Sequence, residues 1–253
     1  MGAVNGRLIQ GAGTQEADWQ AAPWLADADG ALLDDMLPTG SRLVIVAPHP
    51  DDEVLGCGGL IHDAVAAGRE VCVVALTDGE RAYPEEAAWP PARLAQARRA
   101  ELRDALAALG AGDVEVWHLA LGDGALAGRH ADMVRALAAR CTVRDVLCVT
   151  WARDGHPDHE AASAAARDVA RQRGLPLFEY PIWGWHWADA AQSPFGDGLL
   201  RYELDARAQA CKAAAMRRFV TQTGEVAPAP ATPILPPTVL QRFQRPFEIY
   251  LRT

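Results

Sequence analysis

Five stretches of the chain are apolar almost without interruption and rich in β-branched residues: Arg42 to Ala47, Glu70 to Thr77, Val114 to Leu121, Val146 to Trp151 and Leu175 to Pro181. Each has the length of a strand and lacks the in/out alternation of a strand with one wet face. The pattern therefore predicts strands buried on both sides. Between them lie segments with helical spacing: Leu60 to Ala67, Ala92 to Leu109 ending at Gly110, Ala131 to Arg140, and His159 to Arg173 ending at Gly174. Glycine just past a helix is the ordinary stop signal.

Alternating strand and helix implies parallel strands joined by right-handed crossovers, with helices on both faces. The expected fold class is α/β: a Rossmann-like three-layer α/β/α sandwich with a mostly parallel sheet, built as a single domain over residues 41–253. Residues 1–40 show little periodicity and predict an irregular N-terminal arm. The Pro-rich stretch 224–238 predicts a surface loop or lid, and Phe247 to Arg252 a late edge strand. No internal repeat is evident.

Half of the residues are hydrophobic and the formal charge is −9. The first supports a sizeable core. The second argues against nucleic acid as a partner, since nucleic-acid binding calls for clustered lysine and arginine. No apolar run reaches the ~20 residues of a membrane span, and residues 1–30 carry acids where a signal peptide has a basic start, so the expected location is cytoplasmic. Cys57, Cys72, Cys141, Cys148 and Cys211 are widely spaced, odd in number and without a CxxC pair, which predicts reduced thiols.

In such a sheet the chemistry lies beyond the carboxyl ends of the strands. Two loops there concentrate unusual residues: His49-Pro50-Asp51-Asp52-Glu53 after the first strand, and His156-Pro157-Asp158-His159-Glu160 after the strand ending at Trp151. An aspartate in either loop alone reads equally well as a helix cap. Two such loops at equivalent positions do not, because a cap needs no histidine. If the two strands are neighbours, the loops converge and outline a metal site. His, Asp and His suit catalytic Zn²⁺, with three protein ligands and a place for water, and the absence of cysteine from both loops disfavours a closed structural site. A base is needed beside the metal, and two adjacent aspartates can divide these roles.

HPDDE after the first strand, TDGE at Thr77 to Glu80, R-x-x-E from Arg98 to Glu101 followed by LG at 109–110, and HPDH at 156–159 together resemble the PIG-L/LmbE-like de-N-acetylase family over about residues 40–225. The resemblance implies a zinc-dependent hydrolase that removes an acyl group, usually acetyl, from the amine of an amino sugar or its conjugate. It implies His49, Asp52 and His159 as metal ligands, Asp51 as general base, and His156 as the protonated partner that stabilises the tetrahedral oxyanion. Arg98 and Asp123 become substrate contacts, with Glu80 and Asp158 behind the ligands. Iron(II) suits the same ligand set.

Other features refine the picture. The glycines at 56, 58 and 59 miss the GxGxxG spacing of a dinucleotide site. The stretch YPIWGWHW, Tyr180 to Trp187, holds three of the eight tryptophans and reads equally as a sugar-stacking wall or as core. Phe219 stands where the family often has a histidine, and Asp154 where some thiol-biosynthesis members carry a tyrosine. The expected substrate is a small N-acetylglucosamine-type conjugate. An amidase on thiol conjugates and a non-catalytic binding module are the alternatives, and apolar surface on the arm or the tryptophan segment would support a homo-oligomer.

Overall fold

The computed structural model describes residue 9, residues 11–196 and residues 198–253. Eight strands form one sheet: β1 (Asp29–Ala31), β2 (Arg42–Ala47), β3 (Glu70–Ala75), β4 (Glu115–His118), β5 (Asp145–Thr150), β6 (Leu177–Tyr180), β7 (Leu199–Glu203) and β8 (Phe247–Arg252). Their order is β1-β7-β8-β6-β5-β2-β3-β4. Only β8 runs against the rest, antiparallel to both β6 and β7.

Five longer helices cover the sheet: α1 (Asp52–Ala66), α2 (Pro91–Ala108), α3 (His130–Arg140), α4 (Pro157–Arg173) and α5 (Ala206–Met216). Successive residues of β2 face opposite layers. Leu43 and Ile45 join a core containing Leu60 of α1 and Leu102 of α2, whereas Val44 and Val46 join one containing Met133 of α3 and Val169 of α4. This two-sided burial is why the strand reads as an unbroken apolar run. The expected three-layer α/β architecture is the one found.

The chain moves outward from β2 to β3 and β4, then returns to place β5 on the other side of β2. The sheet's switch point therefore lies between β2 and β5, whose carboxyl ends carry the two histidine loops. The neighbourhood on which the metal-site reading depended is present.

Three local expectations differ from the structure. The arm over residues 1–40, where described, holds short helices at Glu16–Gln20, Pro23–Ala26 and Leu33–Met36, and adds β1 to the sheet edge beside β7. Residues 1–8 and 10 lie outside the described part. Phe247–Arg252 is a strand but an interior one, paired on both sides. The first helix begins at Asp52, eight residues before the expected Leu60, because its glycines reflect close packing and not helix breaking. A Cβ on Gly56 would lie 2.1 Å from the Tyr180 ring, and one on Gly59 2.2 Å from Leu204. The Gly59 and Leu60 amides donate to Glu248 of β8, which also takes Lys212 Nζ at 2.6 Å in a buried pair.

All five cysteines are free, and Cys57 and Cys148 approach to 3.6 Å in the core. No helix among the described residues is long and apolar enough to cross a membrane. On the arm and the tryptophan segment, Trp19 is fully buried and its Nε1 donates to Trp185 O at 3.0 Å, while Leu32 stands exposed.

Gly56→Ala should reverse the usual helix preference for alanine. Tyr180 is fully buried and its hydroxyl donates to Val46 O, so the ring cannot yield. A loss of about 1–3 kcal/mol in unfolding free energy is expected from overpacking, measured by denaturant titration. A gain in stability would show that α1 can shift away from β6.

Candidate metal centre and active site

The β2 loop turns through Asp51 at φ 139°, ψ −32°, a region rarely open to a residue with a Cβ. The turn sends the Asp51 side chain into the cavity, where it caps no helix amide. The β5 loop enters α4 with Pro157 in its first turn, and the residue that caps this helix is His156, whose Nδ1 accepts the Asp158 amide. A histidine thus caps this helix, and Asp158, weighed from the sequence as a possible cap, does not.

His49 Nδ1, Asp52 Oδ2 and His159 Nε2 form a nearly equilateral triangle, with sides of 3.4, 3.3 and 3.3 Å. Ligand atoms bound tetrahedrally at ~2.0–2.1 Å must lie about 3.3–3.4 Å apart. The triangle therefore has the dimensions of three corners of such a site, with the fourth facing the cavity. A second grouping, His49, His156 and Asp158, fits less well. Both Asp158 oxygens already accept amides, from Gly124 at 2.7 Å and Leu126 at 3.0 Å.

Each imidazole is fixed from behind. His159 Nδ1 lies 2.7 Å from Asp154 Oδ2. A carboxylate only accepts, so the ring proton sits on Nδ1 and the Nε2 lone pair faces the triangle. His49 Nε2 lies 3.2 Å from Asp123 Oδ1 and 3.4 Å from Asp158 Oδ2, which turns its Nδ1 inward. Against the cost of burial, Asp123, Asp158 and Asp52 raise His49 well above the ordinary imidazole range. The same negative field favours a divalent cation.

The two adjacent aspartates differ sharply. Burial alone would raise Asp52, but the imidazoles of His159 and His49 outweigh it and hold the carboxyl down at about 2. Burial pushes Asp51 up to about 7 although the Arg98 guanidinium opposes it. Arg98 Nη2 donates to Asp51 Oδ2 at 2.8 Å and to Pro50 O at 2.7 Å, and Nη1 to Gly79 O at 3.1 Å. Gly79 has no room for a side chain beside that guanidinium. His156 was expected to be protonated. Burial, with His159 and His49 facing it, instead lowers it to about 3. With Nδ1 accepting the Asp158 amide, the neutral ring carries its proton on Nε2.

A cavity of about 330 Å³ brings His49, Asp51, Asp52, Arg98, Asp123 and His156 together. Arg98 thus lines the cavity while holding Asp51, and Asp123 lines it while meeting His49. Glu80 reaches His49 one step removed: its Oε1 accepts the Asp123 amide at 2.9 Å. Of the three clustered tryptophans, Trp183 lines the cavity, Trp185 packs on Phe195 in the core and Trp187 stacks on Trp151. Phe219 is fully buried in the core.

Asp154 is the functional residue that sequence reasoning passed over. Fully buried, it accepts the amides of Ile182, Trp183 and Gly184, each at 2.9 Å, in addition to the His159 ring. Its three backbone partners lie 28–30 residues away and have no sequence signature. Asp154→Asn can keep the Ile182 and Gly184 amides on its oxygen but puts an N–H where Oδ2 took the Trp183 amide and met His159 Nδ1, which forces the ring proton onto Nε2. Metal affinity is expected to fall about 10–100-fold, read by competition with a chromogenic chelator while circular dichroism is unchanged. Undiminished affinity would show that another group sets this tautomer.

Residues 44–170 match the PIG-L family model described as GlcNAc-PI de-N-acetylase. The chain is 32% identical over 201 residues to a 1D-myo-inositol 2-acetamido-2-deoxy-alpha-D-glucopyranoside deacetylase of Tsukamurella paurometabola, covering 64% of this chain and 66% of the relative. It is equally identical over 201 residues to an enzyme of the same name from Mycobacterium sp. strain KMS, covering 68% and 61%. The chain thus spans a little under two thirds of these relatives. Among solved structures, the A40926 pseudoaglycone deacetylase Dbv21 superposes with a TM-score of 0.58 at 25% identity, over 73% of this chain and 83% of that one. With both histidine loops inside the matched region and the sheet that presents them shared, the chain belongs to the PIG-L family.

Proposed function

We propose that this protein is a metal-dependent amide hydrolase that removes an N-acetyl, or other N-acyl, group from an amino sugar within a small conjugate. The observation that carries the reading is the His49, Asp52 and His159 triangle at a cavity that is also lined by Asp51, a carboxylate outside the triangle. The names of the relatives, deacetylases of a 1D-myo-inositol 2-acetamido-2-deoxy-alpha-D-glucopyranoside and of the A40926 pseudoaglycone, support the amino-sugar substrate.

His49, Asp52 and His159 would hold the ion, with zinc the expected occupant and iron(II) the alternative. When bound there, it supplies Lewis acidity towards the amide carbonyl and acidifies water beside it. Asp52, the stronger acid of the pair, stays ionised as a ligand. Asp51 does not ligate and is held less acidic by burial, so it is the group able to take the attacking water's proton. Arg98 fixes the Asp51 carboxylate in place through Oδ2. The neutral His156 offers Nε2–H to the oxygen that becomes negative as the tetrahedral centre forms. Asp51, once protonated, returns its proton to the departing amine. Asp123 and Asp158 keep the His49 ring turned inward.

The deciding experiment is free-amine release from a panel of N-acetylglucosamine conjugates, by protein stripped of metal and then reloaded with zinc or iron(II). Release that disappears with the metal and returns on reloading is expected. No release from any conjugate at full metal occupancy would overturn the reading. Asp51→Asn should lower turnover by about 10²–10⁴-fold with metal content unchanged. Near-full turnover in that variant would move the role of base to another residue.

A further inference from the structure

The cavity has two kinds of lining. One is polar, with His49 and Asp52 of the ion triangle, Asp51, Arg98, Asp123 and His156. The other is an apolar wall of Leu55, Ile182, Trp183, Ile234 and Leu235. Among the described lining residues outside the ion site, Arg81, Gln222 and the Trp183 indole carry the polar side-chain atoms. Gln222 is 1% exposed, with its Nε2 given to Thr221 Oγ1 and its Oε1 left as a single acceptor without a partner. Arg81 is exposed.

The wall is built as firmly as the ion site. Leu55 lies on α1 one turn past Asp51 and donates its amide to Asp51 O at 2.9 Å. Ile182 and Trp183 are fixed by their amides to Asp154, the carboxylate that also holds His159. Leu235 is tied back by its amide to Gln222 O at 2.9 Å, and Tyr83 Oη donates to Thr221 O at 2.7 Å beside it. A preformed apolar wall favours groups that lose little on leaving water. The many hydroxyls of a cyclitol would outnumber the partners on this side, which come down to Gln222 Oε1, the Trp183 indole N–H and the exposed Arg81, and most would stay unpaired.

Resting on the deacetylase reading, we propose that the group lodged against this wall is apolar, an alkyl or aryl moiety and not a polyol. Such a moiety reaches the cavity either as the aglycone of the amino sugar or as the acyl chain of the amide being cleaved. Two substrate series separate these sources. One varies the aglycone of N-acetylglucosamine through methyl, butyl, octyl and phenyl, with the myo-inositol glycoside as the polyol control. The other lengthens the acyl chain on glucosamine from acetyl to butanoyl to octanoyl.

In one of the two series kcat/KM is expected to climb on the order of fourfold for each of the first few carbons that reach the wall. Ile234→Asn should flatten that climb. Flat series in both arms, or preference for the inositol glycoside, would overturn the proposal. Calorimetric binding of the glucosamine products and of uncleaved N-acyl ligands gives a readout that does not depend on turnover. Binding that strengthens along either series while no amine is released supports the apolar site and overturns the deacetylase reading. Binding indifferent to the apolar group overturns the site itself.

Discussion

Everything at the working end of this protein follows from burying carboxylates at the rim of an apolar sheet. Asp51, Asp52, Asp123, Asp154 and Asp158 are all at most 9% exposed, and each would be costly there without partners. The fold supplies those partners from its own loops: guanidinium for Asp51, imidazoles for Asp52, backbone amides for Asp123 and Asp158, and amides with an imidazole for Asp154. Because the imidazoles are held between carboxylates, their inward lone pairs meet at metal-binding spacing. The geometry of the candidate site is thus the solution to a charge-burial problem.

The sheet itself fixes which charges meet. Two loops 110 residues apart in sequence come together because β5 returns to the side of β2 left open by β3. Asp123 joins them from the loop after β4, accepting the Arg81 amide and facing His49. Three strand ends therefore contribute to one centre, and a loop after β6 closes it through Ile182 and Trp183. A fifth contribution, Ile234 and Leu235, comes from the Pro-rich segment, which lines the cavity as well as running over the surface.

Much of this was legible in the sequence wherever one local pattern determined one local structure. The central strands buried on both faces announced themselves, as did the helices from Ala92 and Ala131, which begin within a residue of expectation. The short strands β1 and β7 were not legible, because three to five residues at a sheet edge or beside a reversed strand carry too little pattern. The start of α1 was hidden by glycines whose reason is Tyr180 and Leu204, far away in sequence. At the site, the two histidine loops were readable as ligand-rich. The work of Asp154 and the contact of Asp123 with a ligand ring depended on tertiary neighbours that no spacing reveals.

Helix α1, which carries Asp52 and begins at the Asp51 turn, is gripped along its glycine-rich turn by Glu248 from β8, 189 residues further along the chain. During synthesis the first histidine loop thus emerges long before the strand that anchors its helix. The β2–β3–β4 half of the sheet can pair early, while β8 must slot between β6 and β7 afterwards. A nascent chain would hold its acidic loop on an unsecured helix until that insertion takes place. The helix that carries Asp52 is then fully anchored only when a single glutamate reaches its amides.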